Sequence, residues 1–210
     1  SRIVEVTPDE GDKQTFKTEK TLVATGTVPV VLPAAPKDSD RIWTSKEALN
    51  LPEIPEKLLV IGGGYIGLEL GTVYAQLGSE VSLVEMTPGL LPGTDRNLVR
   101  EYRKEADSQF ESIYLKTKVS EIKSQKNGLK VTFEGEGAPE KGQTFDCILM
   151  AVGRKPVTEG LALDRTGVRL NDSGFVHVNA QRLTDDADIF AAGDITGAPL
   201  LAHKAFAEGK

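Results

Sequence analysis

The sequence predicts an α/β fold, a doubly wound parallel sheet carrying an antiparallel β meander. Three features carry that expectation. The run Leu58, Leu59, Val60, Ile61 is apolar at every position, as a strand buried on both faces must be. Strand-like and helix-like patterns then alternate, which implies right-handed crossovers between parallel strands. Further on, Asn127-Gly128 separates two alternating runs, a strong hairpin signal.

In chain order, Ile3 to Val6, Thr15 to Thr18 and Thr21 to Ala24 alternate with period two around the turn-rich stretch Pro8 to Asp12, and read as a small antiparallel meander. Pro29, Pro33 and Pro36 fix three φ angles and remove three donors, giving a stiff extended connection and a domain boundary near Asp40. Thr44 or Ser45 caps a short helix through Leu49, and Pro52 and Pro55 separate it from the strand Leu58–Ile61. From Gly64 the residues Ile66, Leu70, Val73 and Leu77 form the stripe of an amphipathic helix that Gly78 ends. A strand over Val81 to Val84 and a helix from about Asp95 to Phe110 follow. Strands are expected at Val119 to Ser124, Leu129 to Glu134 and Thr144 to Val152, then at Gly167 to Leu170, Phe175 to Val178 and Ile189 to Ala192, before a helix over Leu200 to Glu208.

Composition narrows the function classes. The 210 residues are 39% hydrophobic, enough for a substantial core, and carry 31 acidic against 25 basic side chains, a net charge of −6. No Lys/Arg cluster offers a footprint for nucleic acid or an anionic membrane. No apolar run approaches a membrane span, and the first residues lack the basic-then-apolar pattern of a signal peptide. The chain therefore reads as soluble, intracellular and cytoplasmic. A single cysteine, Cys147, leaves no internal disulfide, no CxxC pair and no cysteine-built zinc site, and no metal site is expected.

Gly62, Gly64 and Gly67 in IGGGYIGLELG satisfy G-x-G-x-x-G at the junction of an apolar strand and an amphipathic helix. The first glycine permits a tight turn, the second lets a diphosphate approach the backbone, and the third lets helix and strand touch. The N–H groups and dipole of the helix N-terminus then hold the diphosphate. Glu85 closes the next strand, eighteen residues after Gly67 (85 − 67). A carboxylate there accepts from the ribose 2′- and 3′-hydroxyls and repels a 2′-phosphate, and Met86, Thr87 and Pro88 supply no arginine, so NAD is favoured over NADP. The central region is thus a Rossmann-like NAD-binding domain. Glu69 stands about 60° from Ile66 on the helix, at the margin of the expected buried stripe and close to the cofactor.

The segments LVATGTVP, GGGYIGLELG with VSLVE, GLLPGTDRNLV, AVGRKP and DIFAAGDITGAPLLAHKAFAEG resemble, in order and spacing, the flavin-dependent pyridine nucleotide-disulfide oxidoreductases, most of all those that oxidise dihydrolipoyl groups. That resemblance implies residues 1–40 and 155–210 belong to an FAD-binding domain interrupted by an NAD domain over 41–154. On the NAD side it maps cofactor contacts to Gly62, Gly63, Gly64, Tyr65, Ile66, Gly67, Glu69 and Glu85, to Val119 beside adenine, and to Ala151, Val152, Gly153 and Arg154 near the nicotinamide. On the FAD side it maps Thr25, Gly26 and Thr27 to a crossing beside the flavin, Asp194 to the ribityl chain, and Leu201, Ala202 and His203 to a helix start facing the flavin ring. An Asp after Ala-Ala-Gly at a strand end is itself suited to accept from a hydroxyl.

The resemblance also implies electron flow from dihydrolipoyl groups through a cysteine disulfide and FAD to NAD⁺. Its implied partners are the lipoyl domains of 2-oxo acid dehydrogenase complexes or of the glycine cleavage system, and a second copy in a homodimer. The family's first G-x-G-x-x-G, its C-x-x-x-x-C disulfide and its His-Glu acid/base pair do not occur in this sequence, and the lysine that pairs with the glutamate at Glu69's position precedes Ser1. The sequence is therefore expected to be the middle of a longer enzyme, binding NAD(H) weakly, retaining FAD poorly and lacking dihydrolipoamide activity. No catalytic residue is assigned: Cys147 reads as a core residue, His177 as a surface or structural one, and His203 is not taken as the base. Other NADH-dependent flavin reductases, such as NADH oxidase, mercuric reductase or soluble transhydrogenase, and a non-catalytic NAD-binding module are the alternatives.

Overall fold

The computed structural model describes residues 2–36 and 38–210. Ser1 and Lys37, which fall in the segment and linker read above as residues 1–40, lie outside the described residues. Chain contacts divide the molecule into a central unit, Pro29–Gly153, and a second unit formed by the stretch up to Val28 together with Arg154–Lys210.

In the second unit, β1 (Arg2–Val6) and β2 (Gln14–Thr18) form the expected antiparallel pair. β3 (Thr21–Val23) does not extend it. The structure overturns the three-stranded meander: β3 lies parallel to a strand over Ile189–Ala191, because its hydrogen-bonding edge is taken by that distant apolar run. β4 (Thr27–Pro29) completes this first stretch.

The central unit is built on a five-stranded parallel sheet. Its elements are β5 (Ile42–Trp43), α1 (Ser45–Leu49), β6 (Lys57–Ile61), α2 (Tyr65–Gln76), β7 (Glu80–Val84), α3 (Arg96–Gln109), β8 (Ser112–Tyr114), β9 (Thr117–Gln125), β10 (Gly128–Gly135), β11 (Gln143–Phe145) and β12 (Cys147–Met150). The parallel order is β5-β12-β6-β7-β8, and β11-β10-β9 form an antiparallel sheet of three. Successive residues of β6 face opposite ways. Leu58 and Val60 pack with Leu68, Tyr74, Ala106 and Phe110 of the helices, whereas Leu59 and Ile61 pack with Ile122, Leu129, Val131 and Phe133 of the antiparallel sheet. The second face is thus covered by strands where double winding would place helices. All four β6 residues are essentially buried, each contributing about 1.5–3 kcal/mol of transfer free energy.

Local chemistry explains most boundaries. Thr44 caps α1 in a capping box with Glu47, whose carboxylate accepts from the Thr44 N–H at 2.8 Å; hydrogen bonding from Thr44 holds the Glu47 carboxyl below its usual range. Asp95 caps α3 by accepting from the Asn97 N–H. The proline-rich stretch is not simply extended: Ala35 N–H closes a turn on Leu32 O, and both side chains join the core. The hairpin turn falls on Lys126 and Asn127, neither with positive φ, one residue before the expected pair. Gly128 serves another need, since a Cβ there would stand 2.4 Å from Phe145 O on β11. The run Thr144 to Val152 is two strands, not one. It changes sheets at Asp146, whose carboxylate accepts from Lys57 N–H.

After Gly153, β13 (Arg154–Pro156) pairs with β4, β14 (Ile189–Ala191) pairs with β3, and α4 (Ala202–Glu208) closes the chain. Gly167 to Leu170 and Phe175 to Val178 form no full strands. A single bridge joins Leu170 and Val176, because Asn171 Oδ1 accepts from Ser173 and Phe175 N–H and turns the chain there.

Candidate functional site

β6 ends in a turn that only glycine can make. Gly62 has φ +110°, and a Cβ on it would sit 2.3 Å from Ala151 O. At Gly67 a Cβ would meet Gly62 O at 2.1 Å, so the helix start touches the strand end backbone to backbone. Gly64 differs: its φ of −79° is ordinary and no atom lies within 4 Å of a Cβ placed there. The space beside Gly64, at the head of a twelve-residue helix, is therefore open, as a diphosphate held by backbone N–H groups would need.

The buried face of α2 departs from the expected one. Gly67, Leu68, Gly71 and Tyr74 are buried, whereas Val73 and Leu77 are 48% and 43% exposed. Small residues decide this: Gly71 lets Phe110 approach to 3.2 Å of its would-be Cβ, so the glycine stripe, not the bulky one, faces the sheet. Glu69 is accordingly exposed instead of lying at a buried margin, and its charge helps raise the Tyr102 hydroxyl, which burial already pushes up.

Glu85 follows β7 and is only 7% exposed. One carboxylate oxygen accepts from Gly63 N–H at 2.7 Å and the other from Thr87 N–H at 2.7 Å. Its backbone is clamped between Tyr114 O and Thr117 N–H. Each oxygen keeps a lone pair for a further donor, so the carboxylate is held beside the glycine turn with both oxygens hydrogen-bonded. Val119 is half-buried on β9 opposite Phe133, at a bulge that leaves Ser120 unpaired in the ladder. Ala151 donates to Ile61 O and packs against the Gly62–Gly67 turn; Val152 joins the second core cluster, and Gly153 is exposed with φ +119°.

Arg154 belongs to the second unit, among the residues mapped to FAD. Its Nε donates to Thr27 Oγ1 at 2.7 Å, its Nη2 donates to Thr27 O at 2.7 Å, and Thr27 Oγ1 donates to Asp194 Oδ2 at 2.8 Å. Asp194 lies in a 3₁₀ turn after β14, 3.9 Å from Arg154 Nε. Thr25 donates to Val157 O, and Gly26 O accepts from Val157 N–H. Leu201, the residue before α4, is exposed with its N–H donated to Pro199 O, and Ala202 and His203 in the first turn of the helix are exposed as well.

Sequence reading missed the brace behind Asp194. Lys204 Nζ donates to Gly193 O, Thr196 Oγ1 and Gly197 O at 2.8–3.0 Å, and buried Glu208 accepts from Gly193 N–H at 2.7 Å while pairing with Arg182 and Lys204. The i, i+4 spacing of Lys204 and Glu208 was the available signal. Cys147 is fully buried and donates to Glu53 Oε1 at 3.2 Å; burial and that neighbour push its thiol well up, which suits a core residue and not a nucleophile. His177 is exposed, facing Asp185 at 3.3 Å. Among the described residues no cluster of His, Cys, Asp and Glu fits a metal ion, and no helix is long and apolar enough to cross a membrane.

A glycine turn at a parallel strand end, a buried carboxylate just after the next strand and a second unit built from both flanking stretches mark a Rossmann-like α/β architecture. The chain belongs to the pyridine nucleotide-disulphide oxidoreductase family, whose model matches residues 1–209. It is 41% identical over 200 residues to a dihydrolipoyl dehydrogenase of Vibrio parahaemolyticus, covering 95% of this chain and 42% of the relative. Against that of Haemophilus influenzae the identity is 42% over 200 residues, with 95% and 41% covered. The chain thus spans well under half the length of these relatives. Among solved structures, the flavoprotein disulfide reductase RclA from Escherichia coli superposes with TM-score 0.88 at 28% identity, over 98% of this chain and 46% of that one. LpdA from Mycobacterium tuberculosis gives 0.88 at 28%, over 98% and 44%.

Proposed function

We propose that the central unit is the NAD(H) site of a dihydrolipoyl dehydrogenase and that the second unit supplies part of its FAD site. The observation that carries the reading is the Glu85 carboxylate, buried and tied to Gly63 N–H next to the open backbone at Gly64. In this reading the N–H groups after Gly64 bind the diphosphate, Glu85 accepts from the adenosine ribose hydroxyls and excludes a 2′-phosphate, and Val119 lines the adenine side. Ala151, Val152 and Gly153 orient the nicotinamide end.

In the second unit Asp194, steadied by Thr27, takes a ribityl hydroxyl, and the helix start at Leu201, Ala202 and His203 faces the flavin ring. Arg154 acts with Thr27 on this side. When bound, the two cofactors supply hydride and two-electron chemistry; the protein supplies position and local charge. The dihydrolipoyl substrate on lipoyl domains of 2-oxo acid dehydrogenase complexes or the glycine cleavage system, the homodimer and the cytoplasmic setting all belong to this proposal. The support is relatedness near 41% to dihydrolipoyl dehydrogenases together with the two residue clusters.

Backbone amide NMR during an NADH titration tests it. Saturable shifts centred on Gly62 to Gly67, Glu85 and Val119 are expected. Shifts confined to other surfaces would reject the assignment.

A further inference from the structure

The loop between β7 and α3 is cross-tied by one side chain to which the dinucleotide reading gives no part. Arg96, the first residue of α3, turns its guanidinium back onto that loop. Nη1 donates to Leu90 O at 3.0 Å, Nη2 to Leu91 O at 2.5 Å and Thr94 O at 2.7 Å, and Nε to Thr94 O at 2.9 Å. A planar fork carries its donors on three nitrogens in fixed directions and so reaches three carbonyls spread along the loop, whereas a lysine ammonium gathers its three donors on a single atom. Gly89 makes room for it, since a Cβ there would lie 2.9 Å from Nη1.

What the fork holds in place bears directly on the site. Leu91, at φ +50°, donates its N–H to Gly63 O at 2.8 Å. Leu90 is 1% exposed, and its Cδ2 would stand 2.8 Å from a Cβ on Gly63. Gly63 in turn donates to Glu85, and Thr87, at the head of the same loop, donates to the other Glu85 oxygen. Both donors that aim the Glu85 carboxylate are therefore anchored by the loop that Arg96 closes.

We infer that Arg96 is a positioning residue for NAD(H). It locks the loop from Thr87 to Thr94 so that Gly63 and Glu85 keep the geometry that accepts ribose hydroxyls, and it thereby sets affinity and the preference over NADPH. This rests on the dinucleotide reading above.

Calorimetric titrations of the full chain with NADH and with NADPH, beside thermal melts, test the inference on Arg96→Ala, Arg96→Lys and Val131→Ala. Val131 is a fully buried residue of the antiparallel sheet and serves as a stability control. Arg96→Ala is expected to weaken NADH about tenfold, the equivalent of one charge-assisted hydrogen bond, and to lower the NADH:NADPH ratio. Arg96→Lys recovers little of either, and Val131→Ala lowers the melting temperature while leaving the ratio unchanged. Unaltered NADH affinity in Arg96→Ala, or an equal fall of the ratio in Val131→Ala, overturns the inference and leaves the dinucleotide site standing. An unaltered chain that binds neither nucleotide overturns that site, and the inference falls with it.

Discussion

Gly64 and Gly67 stand three residues apart in the same motif, and the proposed function gives them separable roles that two alanine substitutions distinguish. At Gly67 an added Cβ would sit 2.1 Å from Gly62 O, with Val60 and Ala151 carbons at 3.1 and 3.2 Å, so it cannot be absorbed by a flexible neighbour. The carbonyl and the head of α2 must part by about 1 Å, which belongs at the upper end of overpacking costs, about 3 kcal/mol. For a central unit of 125 residues (153 − 29 + 1) that lowers the melting temperature by about 10 °C. At Gly64 the φ of −79° suits alanine and the space is open, so the poorer helix cap, about 0.5–1 kcal/mol, is offset by a similar loss of unfolded-chain freedom. The same methyl, however, occupies the open space proposed for the diphosphate and is expected to weaken NADH by at least about tenfold, or 1.4 kcal/mol. Differential scanning calorimetry and NADH titration of both variants provide the assay. Gly67→Ala should lose stability and binding, Gly64→Ala binding alone; a Gly64→Ala chain that binds NADH unimpaired would refute the reasoning.

Glu85→Ala leaves the Gly63 and Thr87 N–H groups without their acceptor and should cost about 2–4 kcal/mol in denaturant melts, while NADH and NADPH affinities converge; retention of a strong NADH preference would contradict its role. Cys147 should resist thiol reagents in the folded chain and react only on unfolding, and rapid native-state labelling would show that the buried thiol is accessible after all. Asp185 titrates near 2, below its ordinary 3.8, chiefly because Arg169 bonds it through both carboxylate oxygens, with His177 adding to the effect. Since the folded value is the depressed one, its stabilisation is complete above about pH 4 and is lost as the pH falls through about 2. Carboxyl-detected NMR should find the midpoint rising toward 3.8 in Arg169→Ala; an unmoved midpoint would exclude the pairing as the cause.

The parallel strands and the glycine turn were legible because they rest on local rules: a continuous apolar run, a strand-to-helix junction, and an acidic residue closing the next strand. What failed was nonlocal. Ile66, Leu70, Val73 and Leu77 have the correct helical period, yet periodicity by hydrophobicity gives glycine no weight, and close backbone approach at Gly67 and Gly71 turned a neighbouring face inward. β3 looked like the next meander strand because its partner, Ile189–Ala191, lies far along the chain. The switch at Asp146 leaves the apolar pattern intact while moving the chain between sheets, so composition could not reveal it. Within the site, Glu85 was readable from spacing, whereas the Arg96 fork bonds only backbone carbonyls, which carry no signature in side-chain identity, and the i, i+4 spacing of Lys204 and Glu208 gave no hint of their backbone partners at Gly193 and Gly197.

The central claim is that a buried Glu85 beside an open Gly64 makes this chain an NAD(H) binder. Parallel calorimetric titration of the unaltered chain with NADH and NADPH tests it most directly. Saturable one-site binding of NADH, with NADPH weaker by about tenfold or more, is the expected result. Equal affinity for the two, or a preference for NADPH, would contradict it.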